Sequence, residues 1–357
     1  MGSHSKGSSC FEELVSMAIP ILKEAEFRSP RLGRGAKPKI PDWFLGLIVF
    51  IAVAKQKKSK SAMYRYLSDA QTRTLLLRLT GEKHFPARST FFDRYRRAHI
   101  LFEEAIKVQG EKSIRDGIVD PKHLAIDKSN IKSKGRPYHK SDRKAGKRPT
   151  GKGIDFEAGW GYSKLHNWTY GYSFEVVVSC GKGKQTFPLL ASAHSANTSE
   201  LRTAMKKIEH LPRKVKTLSA DAGYDSNELA ESVMYDENGK PTGRKFLCPG
   251  NPRNKRPIKK GSHQSAKQIR SRELREQRLK DLKSKTNQRI YQQRSRKIEP
   301  FNSWFKELFG LDKAWHRGLA NNQTQLLAAL FCYQLLVRWN YRKRKNNAQV
   351  KAILDKL

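Results

Sequence analysis

Acidic residues are scarce in this chain. Its 357 residues include 33 Asp and Glu against 72 Lys and Arg, so the formal net charge is +39. Repulsion on this scale opposes a compact state unless a polyanion neutralises it. Nucleic acid is therefore the first candidate partner, and an anionic membrane surface is the second. A hydrophobic fraction of 37% still allows packed cores, which argues against a wholly disordered chain.

Long apolar runs and clustered cysteines are also missing. The longest apolar run, Trp43 to Ala54, has 12 residues, whereas a membrane-spanning helix needs about 20. It predicts a buried helix capped by Asp42, and no secretory signal precedes it. The cysteines are far apart and form no CxxC pair, at Cys10, Cys180, Cys248 and Cys332. This argues against a zinc site or a disulfide framework and fits a reducing cytoplasm. Because the longest apolar run is too short to span a bilayer, we expect no membrane partner.

Residues 40–107 have the pattern of several short helices. The stretch PARSTFFDRYRR (86–97) predicts a basic helix with Ser89 or Thr90 as its N-cap. A helix-turn-helix-like unit would use such a helix to present Arg94, Arg96 and Arg97 to the major groove of DNA. An ordinary helical bundle with a solvated basic face, or a dimerisation surface, is the alternative.

From residue 121 the pattern changes to short apolar strands. Strands are predicted at 123–127, 170–180, 185–194, 215–221 and 245–249, with helices beginning near 198 and 227. This order indicates a mixed sheet with helices packed on it. Two segments, 128–153 and 251–296, carry net charges of 10 − 1 = +9 and 16 − 3 = +13. Their charge favours contact with DNA phosphates over a solvated surface.

Three acids occupy informative positions in this basic chain. Asp127 ends the first predicted strand, Asp221 ends a later one, and Glu299 lies in a basic stretch further on. Neighbouring parallel strands bring their ends close together, and carboxylates held close repel one another unless a cation joins them. Oxygen ligands suit Mg²⁺ or Mn²⁺ rather than zinc. We therefore predict a metal site at these acids, and we assign Asp225 as the N-cap of the helix that follows.

At these residues the sequence resembles the bacterial insertion-sequence transposases, which have a DDE catalytic triad on a ribonuclease-H-like core. The matching segments are AIDKSN (125–130), SADAGYDS (219–226) and YQQRSRKIEPFNSWFK (291–306), together with WTYGY (168–172) and PARSTFFDRYRR (86–97). The resemblance covers residues 60–340. D-x-GYDS followed by Y…R…E-x6-K is fairly specific in this order.

The resemblance implies an α/β fold, with a ribonuclease-H-like mixed sheet flanked by helices, an N-terminal all-helical DNA-binding domain and a basic insertion. The expected divisions are a flexible tail at 1–39, the helical domain at 40–118, the catalytic core at 119–232 and 291–345, the insertion at 233–290 and a C-terminal tail at 346–357. It also implies a metal-dependent DNA transposase, in which Asp127, Asp221 and Glu299 are catalytic and hold two Mg²⁺ or Mn²⁺ ions. One strand would be cut to leave a 3′-hydroxyl, and that hydroxyl would attack target DNA.

The resemblance further implies DNA contacts for Tyr291, Lys306 and one arginine. The family has Arg four residues before its Glu, where this chain has Ser295, so either Arg294 or Arg296 takes that role. On one continuous helix, Arg296 would lie about 60° from Glu299 and Arg294 about 140° away. Pro300 is expected to break or kink that helix, which leaves both arginines as candidates.

The expected partner is double-stranded DNA, as terminal inverted repeats and as target, bound by a homodimer on the nucleoid of a bacterial cytoplasm. A non-catalytic or domesticated DNA-binding protein and a nuclease on the same core are the alternatives. Loss of one acid would be typical of the first, and absence of strand transfer would define the second.

Overall fold

The computed structural model describes residues 5–30, 38–139, 141, 144, 146, 153–163, 167–181, 185–252, 265–343 and 350–357. Of the basic segment 128–153, most residues between 140 and 152 lie outside this described part. Of the basic segment 251–296, residues 253–264 also lie outside it. No described helix is long and apolar enough to cross a membrane.

The N-terminal part is helical, as predicted. It contains α1 (Ser5–Arg28), α2 (Asp42–Ala54), α3 (Lys60–Ser68), α4 (Ala70–Thr80), α5 (Arg88–Tyr95) and α6 (Ala98–Arg115). Every residue from Trp43 to Ala54 is buried, which confirms the prediction from the apolar run. The flexible tail predicted for 1–39 is wrong for α1. Apolar residues at helical spacing bury one face of α1 against α2 and α6, namely Leu14, Val15, Ala18, Ile21, Leu22 and Ala25.

Two predicted helix caps in this part are wrong. Pro41 is the N-cap of α2, so Asp42 lies inside the first turn. Helix α5 begins at Arg88 after the extended residue Ala87, which places Ser89 and Thr90 within the helix rather than at its N-cap. In both cases the helix begins at or before the residue that was predicted to cap it. The aromatic anchors of α5 are nevertheless buried, since Phe91 and Tyr95 both have 0% exposure.

The described residues form one six-stranded sheet. Its strands are β1 (His123–Lys132), β2 (Gly159–Ser163), β3 (Asn167–Ser179), β4 (Phe187–Ser195), β5 (Thr217–Ser219) and β6 (Lys245–Leu247). β3 pairs antiparallel with β1, β2 and β4, whereas β1, β5 and β6 run parallel. The order β4–β3–β1–β5–β6 with these directions is that of a ribonuclease-H-like core, so the predicted fold class is confirmed.

Helices cover the sheet and join it to the N-terminal part. They are α7 (Glu200–Ile208), α8 (Asn227–Met234), α9 (Ala266–Lys283), α10 (Lys285–Leu308), α11 (Leu319–Arg342) and α12 (Val350–Leu354). Almost every residue of α11 between Asn322 and Asn340 is buried, because this helix packs against α2 and α6 on one side and β4 on the other. Helix α10 packs on β1 and runs through Pro300 without ending there.

The regions predicted as an insertion and a C-terminal tail contain parts of the folded body. β6 lies within the predicted insertion, yet it is an edge strand of the sheet paired with β5. Helix α12 lies within the predicted tail and buries Val350, Ile353 and Leu354. The predicted cap at Asp225 is also wrong. Ser226 caps α8, because Asp225 is turned toward Arg278 of α9 instead.

Candidate active site

Parallel pairing of β1 and β5 brings two of the predicted acids side by side. His123 pairs with Thr217 and Ala125 with Ser219, a constant offset of 217 − 123 = 94 residues. Asp127 and Asp221 have the same offset, 221 − 127 = 94, and each lies two residues beyond the last pair. Asp127 lies in the middle of β1, paired with Val176 of β3, so the prediction that it ends its strand is wrong. Asp221 lies just beyond the end of β5, and the two acids therefore stand at the same level of neighbouring parallel strands.

A short 3₁₀ turn, Ala222–Tyr224, fixes Asp221. The carboxylate of Asp221 caps this turn and accepts the backbone N–H of Gly223 at 2.9 Å. Tyr224 anchors the turn to the sheet, because its hydroxyl donates to Glu175 of β3 at 2.8 Å. Glu175 is 1% exposed and also accepts from Lys207 of α7, which is itself 5% exposed. A buried, fully paired carboxylate thus supports the backbone that carries Asp221.

Arg294 links Glu299 to Asp127. Arg294 and Glu299 both lie on α10, and one amino nitrogen of Arg294 is 3.2 Å from Oδ1 of Asp127 while the other is 3.5 Å from Oε1 of Glu299. Arg296, which straight-helix geometry had placed nearer to Glu299, is exposed instead. Arg294 makes both contacts because a long side chain with two amino groups can bridge positions that the helix itself holds apart.

The rest of the predicted motif lies around this bridge. Lys306 is half-buried, which lowers its pKa, while Asp312 and Asp127 act in the opposite direction. Tyr291 is half-buried too, and burial raises its pKa while nearby Arg294 opposes the shift. The ring of Trp304, two residues before Lys306, packs edge-on against Tyr333.

Two residues of the site were missed from the sequence. The side-chain amide of Asn302 donates to Oδ2 of Asp127 at 2.9 Å. Glu200 opens α7 and faces Asp221. A Cβ built on Gly223 would lie 2.8 Å from Oε2 of Glu200 and 3.0 Å from Oδ1 of Asp221. The only sequence signals were the positions of the two residues. Asn302 lies about one helical turn after Glu299, and Glu200 lies in the first turn of a predicted helix.

The loop before Glu200 is tied to the strand that carries Asp127. The ammonium group of Lys128 donates to the backbone carbonyls of Ala196 at 3.0 Å and Thr198 at 2.7 Å. Burial raises the pKa of Glu200, Asp221 and Glu175 add to the shift, and Lys128 opposes it. Lys128 therefore both places the start of α7 and supplies positive charge to an acidic corner.

Asp127 has the most strongly shifted carboxyl group of the site. Burial raises its pKa to about 7, the charges of Asp221 and Glu200 act in the same direction, and Arg294 opposes the shift. Burial and like charges both disfavour the ionised form, and a single guanidinium does not fully offset them. The buried carboxyl of Asp127 is therefore held less readily in its ionised form than an exposed aspartate.

The residues fit divalent cations by the chemistry of their donors. Asp127, Asp221, Glu299 and Glu200 offer carboxylate oxygens, which Mg²⁺ and Mn²⁺ prefer. In the part of the chain that the structure describes, no three His, Cys, Asp or Glu side chains already stand in a metal-binding arrangement. The guanidinium of Arg294 lies between Asp127 and Glu299 and is the cation that these two carboxylates share.

The three arginines predicted to contact DNA from the N-terminal helices have different surroundings. Arg94 donates to the backbone carbonyl of Ile40 at 2.6 Å and forms an ion pair with Asp42, so it joins α5 to the start of α2. Arg96 and Arg97, just beyond the end of α5, are exposed. The structure thus leaves two of the three predicted arginines open to a partner.

Comparison with known proteins identifies the family of this chain. Residues 118–335 match the model of the transposase DDE domain family. This chain belongs to that family, which confirms the family resemblance of its motifs. No curated protein sequence matches the chain. Among solved structures, the chain is similar to the piggyBac transposase in its synaptic complex with hairpin DNA. The two are 11% identical, the TM-score is 0.38, and the match covers 98% of this chain and 78% of that one.

Proposed function

We propose that this chain is a DNA transposase that cleaves the ends of an insertion sequence and joins the resulting 3′-hydroxyl to target DNA. One observation carries the proposal. Asp127 of β1 and Asp221 just after β5 stand at one level of adjacent parallel strands, and Arg294 connects Asp127 to Glu299. Membership of the transposase DDE domain family supports the same reaction class.

In this proposal, Asp127, Asp221 and Glu299 hold two Mg²⁺ or Mn²⁺ ions. Such ions, when bound, activate an attacking oxygen and stabilise the leaving oxygen at phosphorus. Asn302 keeps the carboxylate of Asp127 oriented, and the turn resting on Glu175 keeps Asp221 in place. Lys306, Tyr291 and Arg294 lie beside the acids and would position the phosphate, which is most of what phosphoryl transfer requires of protein groups.

The proposed partner is double-stranded DNA, both at the terminal inverted repeats and at the target, bound by a homodimer on the bacterial nucleoid. A net charge of +39 supports contact with a polyanion. The exposed Arg96 and Arg97, next to the buried aromatic residues of α5, support recognition by the N-terminal helices. Residues 121–310 would then bind DNA with little sequence preference.

The test uses the full chain, Mg²⁺ or Mn²⁺, labelled DNA from the flanks of its gene and a target plasmid. The expected products are cut ends with a 3′-hydroxyl and plasmid joined to them. Asp221→Asn should abolish both products and leave DNA binding intact. Glu307→Gln, at an exposed acid on the same helix as Glu299, is the matched control and should keep both.

Each other outcome contradicts the proposal in a defined way. Cleavage without joining would make the protein a nuclease on the same core. Binding to the flanking repeats without cleavage would make it a non-catalytic DNA-binding protein. Cleavage at the wild-type rate by Asp221→Asn would remove that residue from the site.

A further inference from the structure

Arg294 occupies the space between two of the proposed metal ligands. Its amino nitrogens lie 3.2 Å from Asp127 and 3.5 Å from Glu299, and its side chain is only 6% exposed. The guanidinium is therefore enclosed between the carboxylates rather than extended into solvent. A metal ion shared by the same two carboxylates needs the positive charge of Arg294 to move away, because both cations compete for the same oxygens.

Two buried polar atoms at this contact lack a partner. Nε of Arg294 and Oδ1 of Asn302 make no hydrogen bond with any described residue. A buried polar atom without a partner costs free energy, so Arg294 gains from a ligand that takes more of its N–H groups. A phosphate offers several oxygens to the planar fork of an arginine. Asn302 remains on Oδ2 of Asp127 and keeps that carboxylate oriented when the arginine leaves.

We propose that Arg294 is an exchangeable internal cation that couples DNA binding to metal binding. It moves from Asp127 and Glu299 to a DNA phosphate, and its departure frees both carboxylates for a divalent cation. The inference rests on the proposed function, since it takes these acids as the metal ligands. Linkage then requires that DNA raises the affinity for metal, and that metal raises the affinity for DNA by the same factor.

The first experiment measures Mn²⁺ binding to the full chain without DNA by isothermal titration calorimetry. Arg294→Gln should bind Mn²⁺ on the order of tenfold more tightly than wild type, because the competing charge is gone. Arg294→Lys keeps a cation and should stay near wild type. Arg296→Gln removes an exposed arginine two residues away on α10 and should leave the affinity unchanged.

The second experiment follows the affinity for a fluorescent, random-sequence DNA duplex by anisotropy, with and without Mn²⁺. Mn²⁺ should increase the DNA affinity of wild type by a larger factor than it increases that of Asp127→Asn. The wild-type comparison needs no Arg294 variant, so it decides the matter even if Arg294→Gln does not fold. In a folded Arg294→Gln protein the coupling between Mn²⁺ and DNA should shrink by the factor gained in the first experiment.

The outcomes separate this inference from the proposed function. Equal or weaker Mn²⁺ binding by a folded Arg294→Gln protein overturns the inference, as does wild-type DNA binding that is indifferent to Mn²⁺. The proposed function stands in both cases if Asp127→Asn lowers Mn²⁺ affinity. If Asp127→Asn and wild type bind Mn²⁺ equally, the carboxylates are not the ligands, and the function and the inference fall together.

Discussion

The guanidinium of Arg278 is fully buried against the carboxylate of Asp225, 53 residues earlier in the chain. Asp225 also accepts the backbone N–H of Asn251 at 2.7 Å and lies 3.5 Å from Arg275. Burial alone would raise the pKa of Asp225, but the hydrogen bonds from Arg278 and Asn251 bring it below its ordinary value. This ion pair fastens helix α9 to the turn that follows Asp221.

Replacing Asp225 should therefore destabilise the fold. Asp225→Asn leaves the buried guanidinium of Arg278 without its counter-ion, and breaking such a pair costs about 3–5 kcal/mol. Urea denaturation measures the loss of unfolding free energy. Glu231→Gln removes a solvent-exposed ion pair with Arg270 and is the control, with an expected loss below about 1 kcal/mol. Equal losses in the two variants would contradict the structural role given to Arg278.

The spacing of Glu200 and Asp221 around Gly223 leads to a prediction about cleavage. A methyl group on Gly223 would press on both carboxylates, because its position lies 2.8 Å and 3.0 Å from their oxygens. Gly223→Ala should lower the cleavage rate about 100-fold, as displacements near 1 Å do at active sites. Gly250→Ala is the control, since a Cβ there meets its nearest neighbour at 3.7 Å. Unchanged cleavage by Gly223→Ala would show that neither carboxylate position matters.

Of the arginines near α5, Arg94 should contribute to the stability of the fold, and Arg96 and Arg97 should contribute to DNA affinity. Arg94→Ala removes the contacts to Ile40 and Asp42 and should lower the melting temperature. Arg96→Ala and Arg97→Ala should leave the melting temperature unchanged and weaken DNA binding. For each lost phosphate contact, the slope of log affinity against log salt should flatten by about 0.9. An unchanged slope after both substitutions would show that these arginines do not face the duplex.

A buried histidine makes the stability of the fold depend on pH. His316 packs its Nε2 against the hydroxyl of Tyr95 at 3.1 Å. Burial, with a smaller effect from Lys60 and Lys134, lowers the pKa of His316 to about 3. The unfolded chain therefore takes up a proton below its ordinary pKa of about 6.5, whereas the folded chain does not. Stability contributed by His316 is present above that pH and is lost as the pH falls toward 3.

Comparison of two variants checks this. The unfolding free energy of wild type should fall between pH 7 and pH 5 with a contribution from His316 of up to about 1.4 kcal/mol per pH unit. His316→Gln should remove that contribution, so its pH dependence should be shallower. His84→Gln changes an exposed histidine and should keep the wild-type dependence. Parallel curves for wild type and His316→Gln would contradict the assignment.

Local patterns in the sequence predicted the parts of the fold that local patterns determine. The apolar run at Trp43–Ala54 predicted a buried helix, and the apolar segments before Asp127 and Asp221 predicted the two central strands. The end of the first strand was wrong, because β1 continues beyond Asp127 to Lys132. Helix α1 was missed because its first residues, SKGSS, are typical of a tail, although apolar residues at helical spacing follow them. The strand β6 was predicted at 245–249, whereas the family resemblance implied an insertion over 233–290, and the pairing with β5 makes this strand part of the sheet.

The rest of the site depends on contacts between distant residues, which periodicity does not reveal. Asp225 has the sequence context of a helix cap, but a buried arginine from another helix determines its role. The sequence did not decide between Arg294 and Arg296 for the family's arginine role, because helical phase gives the direction of a residue at the backbone and not the reach of a long side chain. Glu200 had no motif of its own, and only the fold brings it to Asp221.

The common offset of 94 residues that relates β1 to β5 has an evolutionary consequence. The relative level of Asp127 and Asp221 depends on the backbone hydrogen bonds between β1 and the short strand β5, and not on the length of the chain that connects them. Loops in that connection can therefore gain or lose residues at little cost, since closure entropy grows slowly with length. A slip of β5 by one residue would instead move Asp221 by about 3.3 Å and turn it to the other face of the sheet. Among related chains, the interval between these acids should vary freely, while deletions within Thr217–Ser219 should be excluded.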